Sequence, residues 1–133
     1  MQIAIEIKTT KKEEIIDITG QVKEIVKKSD IDEGICLVYV PHATCSVIIN
    51  ENYDKAVCED ILATLNKIIP LHDNYKHDKI DNNAAAHIKA AILGPSQSLS
   101  VHDGILQLGQ WQGIAIAEFD GPRDRKVYIN ISR

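Results

Sequence analysis

What this sequence of 133 residues lacks narrows the field first. Its three cysteines are an odd number with no CxxC pair, which argues against a disulfide framework and against a cysteine-rich zinc site. Aromatic residues make up only 5%, with one Trp and one Phe, too few for a base-stacking platform. Positive charge is not in excess: 15 Lys and Arg stand against 19 Asp and Glu, a net charge of −4, so the footprint of a nucleic-acid binder is missing. No apolar run approaches the ~18 residues needed to cross a bilayer. Met1 to Glu6 alternates apolar with polar and carries an early acid, unlike a secretion signal. The expectation is a single cytoplasmic domain, residues 1–133, with neither membrane nor nucleic acid as partner.

What is present is ordinary globular material, 44% hydrophobic and 26% charged, and long enough to bury a core. Gln2–Lys8 places Ile3, Ile5 and Ile7 at the period of a half-buried strand, and Glu13–Ile18 reads as a second. Val22, Ile25 and Val26 form a helical stripe for which Thr19 offers an N-cap. Gly34–Val40 is a continuous apolar run, expected to be a strand buried on both faces, and Cys45–Asn50 resumes strand character after Pro41. A helix with Val57, Ile61, Leu65 and Ile68 on one face is expected from about Tyr53 to Pro70, capped by Asn50 or Asn52. A third helix, Ala84–Leu93, is expected to be capped by Asp81 or Asn82 and to stop at Gly94-Pro95. Short strands follow at Ser98–His102, Ile105–Leu108, Gly113–Glu118 and Lys126–Ser132. Strands and helices interspersed without a βαβ rhythm predict an α+β domain, its sheet mixed and largely antiparallel, with helices on one face.

Several polar residues fit poorly as plain surface. His42, Thr44 and Ser46 sit at the junction of two strands, where a scaffold presents side chains to a ligand. A single histidine there is more often structural. Tyr75-Lys76-His77-Asp78 precedes Asn83-Ala84-Ala85-Ala86-His87, whose small residues would let an anion approach free helical N–H groups. Gly109-Gln110-Trp111-Gln112-Gly113 reads as a turn whose Trp plugs the core or an interface. Asp120-Gly121-Pro122 has the signals of a hairpin tip, after which Arg123 and Arg125 would make a fork for phosphate or carboxylate.

Taken in order, four segments resemble one family. His42-Ala43-Thr44 through Asn50-Glu51-Asn52, Asp81–Lys89, Leu106–Gly113 and Glu118–Arg123 are similar to the YjbQ family, described as having secondary thiamine-phosphate synthase activity. The resemblance implies a half-barrel-like sheet, a homotrimer, and a pocket using His42, His77 and His87, with Asp120 to Arg123 alongside. It implies a transferase that joins a pyrimidine-methyl diphosphate to a thiazole phosphate and releases diphosphate, whose charge a divalent metal or cationic groups must take up. The expected catalytic residues are His42, His87 and Asp120. Thr44, Asn83, Arg123 and Arg125 are expected to bind a small phosphorylated or anionic metabolite. His42, His77 and His87 are expected to hold a divalent metal, Zn²⁺ or Mg²⁺. Cys45, beside the His-x-Thr segment, fits a small buried position and gives no support for a thiol nucleophile. No Asp-rich diphosphate motif is present, so thiamine-phosphate formation is expected as a side activity. A metal-dependent hydrolase and a non-catalytic trimeric metabolite-binding protein are the alternatives.

Overall fold

The alternation of Gln2–Lys8 and its partners produces strands that pair only antiparallel. In the computed structural model, which describes residues 1–133, strands β1 (Gln2–Lys8), β2 (Glu14–Asp17), β3 (Gly34–Tyr39), β4 (Cys45–Asn50), β5 (Ser96–His102), β6 (Ile105–Leu106), β7 (Gly113–Glu118) and β8 (Asp124–Ser132) curl into a half-barrel of two sections. One section has the order β1-β8-β3-β5-β6 and the other β2-β7-β4. Three helices complete an α+β fold: α1 (Thr19–Lys28), α2 (Lys55–Ile68) and α3 (Ala84–Leu93), with a 3₁₀ turn at Lys76–Lys79.

Strand parity builds the core. Val127, Ile129 and Ile131 of β8 and Cys36 and Val38 of β3 face Ile114 and Ile116 of β7, with Val22, Ile25 and Val26 of α1 packed into the same cluster. The opposite face of β7, through Ala117 and then Phe119, meets Ala86 and Ala90 of α3, with Leu62 and Leu65 of α2 beside them. β7 is therefore the strand covered on both faces, and all six of its residues are buried. β3 is not. Its Cys36 and Val38 are fully buried, but Ile35, Leu37 and Tyr39 on the other face are exposed. The apolar run Gly34–Val40 has one covered face in the single chain, because no helix lies over that side.

The caps differ from the sequence expectation for a shared reason: side chains with tertiary partners leave capping to others. Thr19 lies inside α1, and its hydroxyl accepts from the Ile114 N–H at 2.9 Å. Asn52 donates to Asp17, so Asp54 caps α2 by accepting from the Ala56 N–H. Asn83 occupies the N-cap position of α3, but the Asp78 carboxylate accepts the Ala84 N–H at 3.0 Å. That contact fills part of the helix end at which an anion was expected. Trp111 is 62% exposed and does not plug the core of its own chain.

Candidate functional site

Three of the links by which the chain passes between the two sheet sections are β1–β2, β3–β4 and β7–β8. The three links are bonded to one another. Thr9 N–H donates to the Arg123 carbonyl at 2.9 Å, Gly121 N–H to the Lys12 carbonyl at 2.9 Å, and Phe119 N–H to the Thr44 carbonyl at 3.2 Å. Asp120-Gly121-Pro122 is thus a crossover between sections rather than a hairpin tip, since β7 pairs with β2 and β4 while β8 pairs with β1 and β3. A Cβ at Gly121 would collide with the Lys11 carbonyl oxygen, so glycine is required by that close approach.

Glu118 and Arg125 share this corner. Parity turns both into the space between the sections, and there Arg125 Nε donates to Glu118 Oε2 at 2.7 Å and Nη2 to Oε1. Arg125 Nη2 also donates to the Thr44 hydroxyl at 2.7 Å, and Asp120 N–H donates to Glu118 Oε1 at 3.0 Å. Both charges are buried. Burial alone would raise the Glu118 carboxyl, but the Arg125 and Asp120 bonds hold it below its ordinary value. Arg125 is therefore committed to an internal pair and forms no exposed fork with Arg123.

Asp120 is the second node. Its carboxylate accepts from Asn83 Nδ2 at 2.9 Å, from Arg123 Nη2 at 2.9 Å and from Lys12 Nζ at 3.3 Å. Burial pushes its carboxyl up, and these three donors outweigh that and bring it below the ordinary value. An acceptor held ionised and engaged by three donors suits a positioning role better than that of a general acid. Arg123 Nε donates to the Asp120 carbonyl at 2.8 Å, which fixes the guanidinium while about half of the side chain stays exposed. It borders a polar hollow of about 250 Å³ with Lys8, Thr9 and Asp124.

The histidines stand beside this network. Lys126 N–H donates to His42 Nε2 at 2.9 Å, which needs a neutral ring with its proton on Nδ1. Burial first, and then the Arg125 charge, lowers the His42 pKa. His87 shares a shallow hollow with His42 and Cys45, and a second with His77 and Tyr75. The His77 and His87 rings meet edge to face, with centroids 4.8 Å apart. His77 Nε2 is buried without a hydrogen-bond partner, with the Asp81 carboxylate 3.6 Å away. Cys45 is sealed in the core, and burial pushes its thiol up to about 11, so it supplies no nucleophile.

These positions do not fit a three-histidine metal centre within one chain. The ligand atoms of His42, His77 and His87 do not all lie within 4.8 Å of one another, whereas those of the exposed Glu33, His102 and Asp103 do. His42 could offer Nδ1 to a metal only by taking up a proton at Nε2, which would set it against the Lys126 N–H. A hydrolase centre with all three imidazoles on one ion is therefore not assembled by a single chain.

Sequence reasoning missed Glu118, the hub of the corner, and Thr9, which donates to the Arg123 carbonyl and accepts from its N–H. It also missed Lys89. That residue is 1% exposed, donates to Glu13 at 3.0 Å and to Asn66, and lies 5.8 Å above the Phe119 ring. An acid closing an otherwise apolar strand, and a lysine in an alanine-rich helix, were the available signals.

Scaffold and site together define a class: a small antiparallel half-barrel whose polar cluster is assembled where the chain crosses between sheet sections. Residues 3–133 match the family model described as UPF0047 protein YjbQ-like, and the chain belongs to that family. It is 48% identical over 123 residues to a UPF0047 protein of Archaeoglobus fulgidus, covering 92% of this chain and 94% of that one. It is 44% identical over 131 residues to one of Methanocaldococcus jannaschii, covering 98% and 94%. A crystal structure from Sulfolobus solfataricus, described as a YbjQ-like protein of unknown function, superposes with a TM-score of 0.96 at 39% identity, covering 98% and 95%. A YjbQ/UPF0047 family structure from Clostridium acetobutylicum gives 0.94 at 45% identity, covering 98% and 99%.

Proposed function

We propose that this chain is an enzyme acting on a small phosphorylated metabolite at the sheet-crossing corner, with slow thiamine-phosphate formation among its activities. The observation that carries the reading is the continuity of the polar network. His42, Thr44, Asn83, Asp120, Arg123 and Arg125 come from three separate stretches of sequence and are joined through Glu118, Asp120 and the Lys126 N–H. Arg123, braced by Asp120, presents cationic N–H groups to an anion. Neutral His42 offers an Nδ1–H donor.

In thiamine-phosphate formation the thiazole nitrogen forms a bond to the pyrimidine methylene carbon as the bond from that carbon to diphosphate oxygen breaks. Diphosphate leaves with the bonding pair. Arg123 and the His42 donor would face the charge that develops there. Zn²⁺ or Mg²⁺ would have to be held otherwise than by three histidines of one chain, and no step here is routed through a metal. Cytoplasmic location and a homotrimer belong to the same proposal. The exposed apolar side chains Ile35, Leu37 and Tyr39 support the trimer.

The test is thiamine-phosphate formation together with calorimetric diphosphate binding. His42→Ala and His87→Ala should abolish turnover while changing stability by less than the ~2–5 kcal/mol of a core truncation. Arg123→Lys should weaken diphosphate binding about tenfold, because an ammonium lacks the planar fork. Unchanged turnover and affinity in all three variants would overturn the proposal. A non-catalytic binding protein is the second reading, favoured by the internal partners already held by Arg125, Asn83 and Asp120. Diphosphate binding without turnover of any phosphorylated substrate would establish it.

A further inference from the structure

A sizeable hollow lies away from the corner. Strand β7 ends at Glu118 in the corner and begins at Gly113, five residues earlier, so its two ends stand roughly 17 Å apart. At the Gly113 end, the chain from β6 into β7 folds back toward α1 and borders an open hollow of about 590 Å³. That volume is within the usual span of small-molecule sites.

The lining has a definite chemistry. Ile105, Leu106 and Leu108 supply apolar surface, Lys23 and Lys27 stand one helical turn apart on α1, and Gln110 adds a polar rim. No Asp or Glu lines the hollow, although acids outnumber bases in the chain as a whole. No carboxylate lies within 4.0 Å of either lysine, whereas Lys28 on the same helix pairs with Glu24 at 3.2 Å. The loop wall is held by its own bonds. Gly109 N–H donates to Gln112 Oε1 at 2.8 Å, Gln112 N–H to the Gly109 carbonyl at 3.1 Å, and Gln107 N–H to the Ser100 carbonyl at 2.9 Å. A pre-shaped wall reduces the ordering cost of binding.

We propose that this hollow is a second binding site, for a small molecule with an oxyanion head on an apolar body. The head meets Lys23 and Lys27, and the body lies along Ile105, Leu106 and Leu108. This assigns a role to the Gly109–Gly113 segment that the corner site does not use. It does not depend on the reading of that site.

The test titrates the full chain with octanoate and with octyl phosphate, followed by amide chemical shifts and by fluorescence of the single Trp111. The expected result is saturable shifts confined to α1 and residues 104–112, with a Kd of about 1 mM or tighter for at least one probe. The probe that binds more tightly identifies the head group as carboxylate or phosphate. Lys23→Glu with Lys27→Glu should weaken binding at least tenfold at an unchanged melting temperature. Both lysines are exposed, and Lys23→Gln with Lys27→Gln gives the milder form of the same test. Equal affinity for octanol, affinity unaffected by the charge changes, or no saturable shift at these residues would each overturn the proposal. Shifts there on dilution alone would mean that a second copy of the chain fills the hollow, which overturns it too.

Discussion

At the scale of single residues, the corner is governed by what two carboxylates, the buried Glu118 and the largely covered Asp120, can and cannot lose. Glu118 keeps its charge between the sheet sections only because Arg125 meets it in a two-point contact. Removing one partner of such a pair leaves the other charge uncompensated, at a cost of about 3–5 kcal/mol. Glu118→Gln is therefore expected to lower unfolding free energy by about 3 kcal/mol in a denaturant titration at neutral pH. A loss comparable to that of a surface substitution would mean that Arg125 finds another partner. The same carboxylates set the acid limit of the fold. Glu118 and Asp120 both sit below their ordinary values of 4.5 and 3.8, so the stability they contribute is whole above those values. It is lost as pH falls through the lower folded-state values. Wild-type stability should fall steeply below about pH 4, and the Glu118→Gln variant should show a shallower fall.

Among the elements, the helices show how side chains choose between local and distant partners. Helix α3 has no side-chain cap from its own N-cap residue, because Asn83 Nδ2 is drawn to Asp120. Asp78, six residues before Ala84, supplies the acceptor instead. Asp78→Ala should lower stability by about 1 kcal/mol, as expected for loss of an N-cap. It should also perturb the His77–His87 edge-to-face contact, since Asp78 ties the 3₁₀ turn that carries His77 to the helix that carries His87. The check is a thermal melt together with histidine ring shifts. Unchanged ring shifts with the expected loss of stability would confine Asp78 to capping. Helix α2 has no fully buried residue, and Val57, Ile61 and Leu65 line an open hollow, so its apolar stripe is only half seated.

For the whole molecule, two apolar surfaces stay uncovered in the single chain, the outer face of β3 and part of α2. Leu37 lies at the centre of the first, between Ser98 on β5 and Asn130 on β8. If the proposed homotrimer closes over this face, light scattering on the eluted protein will give three times the 14.8 kDa chain mass. Leu37→Asp will then shift it toward the monomer with the far-ultraviolet spectrum retained. A trimer that survives this change places the interface elsewhere, and a monomeric wild type removes it.

The sequence by itself determined the elements and their class. Local periodicity is enough to mark Gln2–Lys8, Gly113–Glu118 and the stripe of α1, because a side chain's face follows from spacing alone. It also drew attention to His42, Asn83, Asp120 and Arg123, polar residues placed at or near the ends of strands or helices. Partnership was decided only in three dimensions. Whether Arg125 faces solvent or Glu118 depends on β7 and β8 belonging to different sheet sections, and no local pattern encodes that. Whether three histidines converge depends on distances across links far apart in the chain, and here His42 is held by the Lys126 N–H while His77 packs on His87. Burial of β3 on one face rather than two was likewise beyond the sequence. An apolar side chain records that a face can be covered, and only the tertiary and quaternary arrangement decides what covers it.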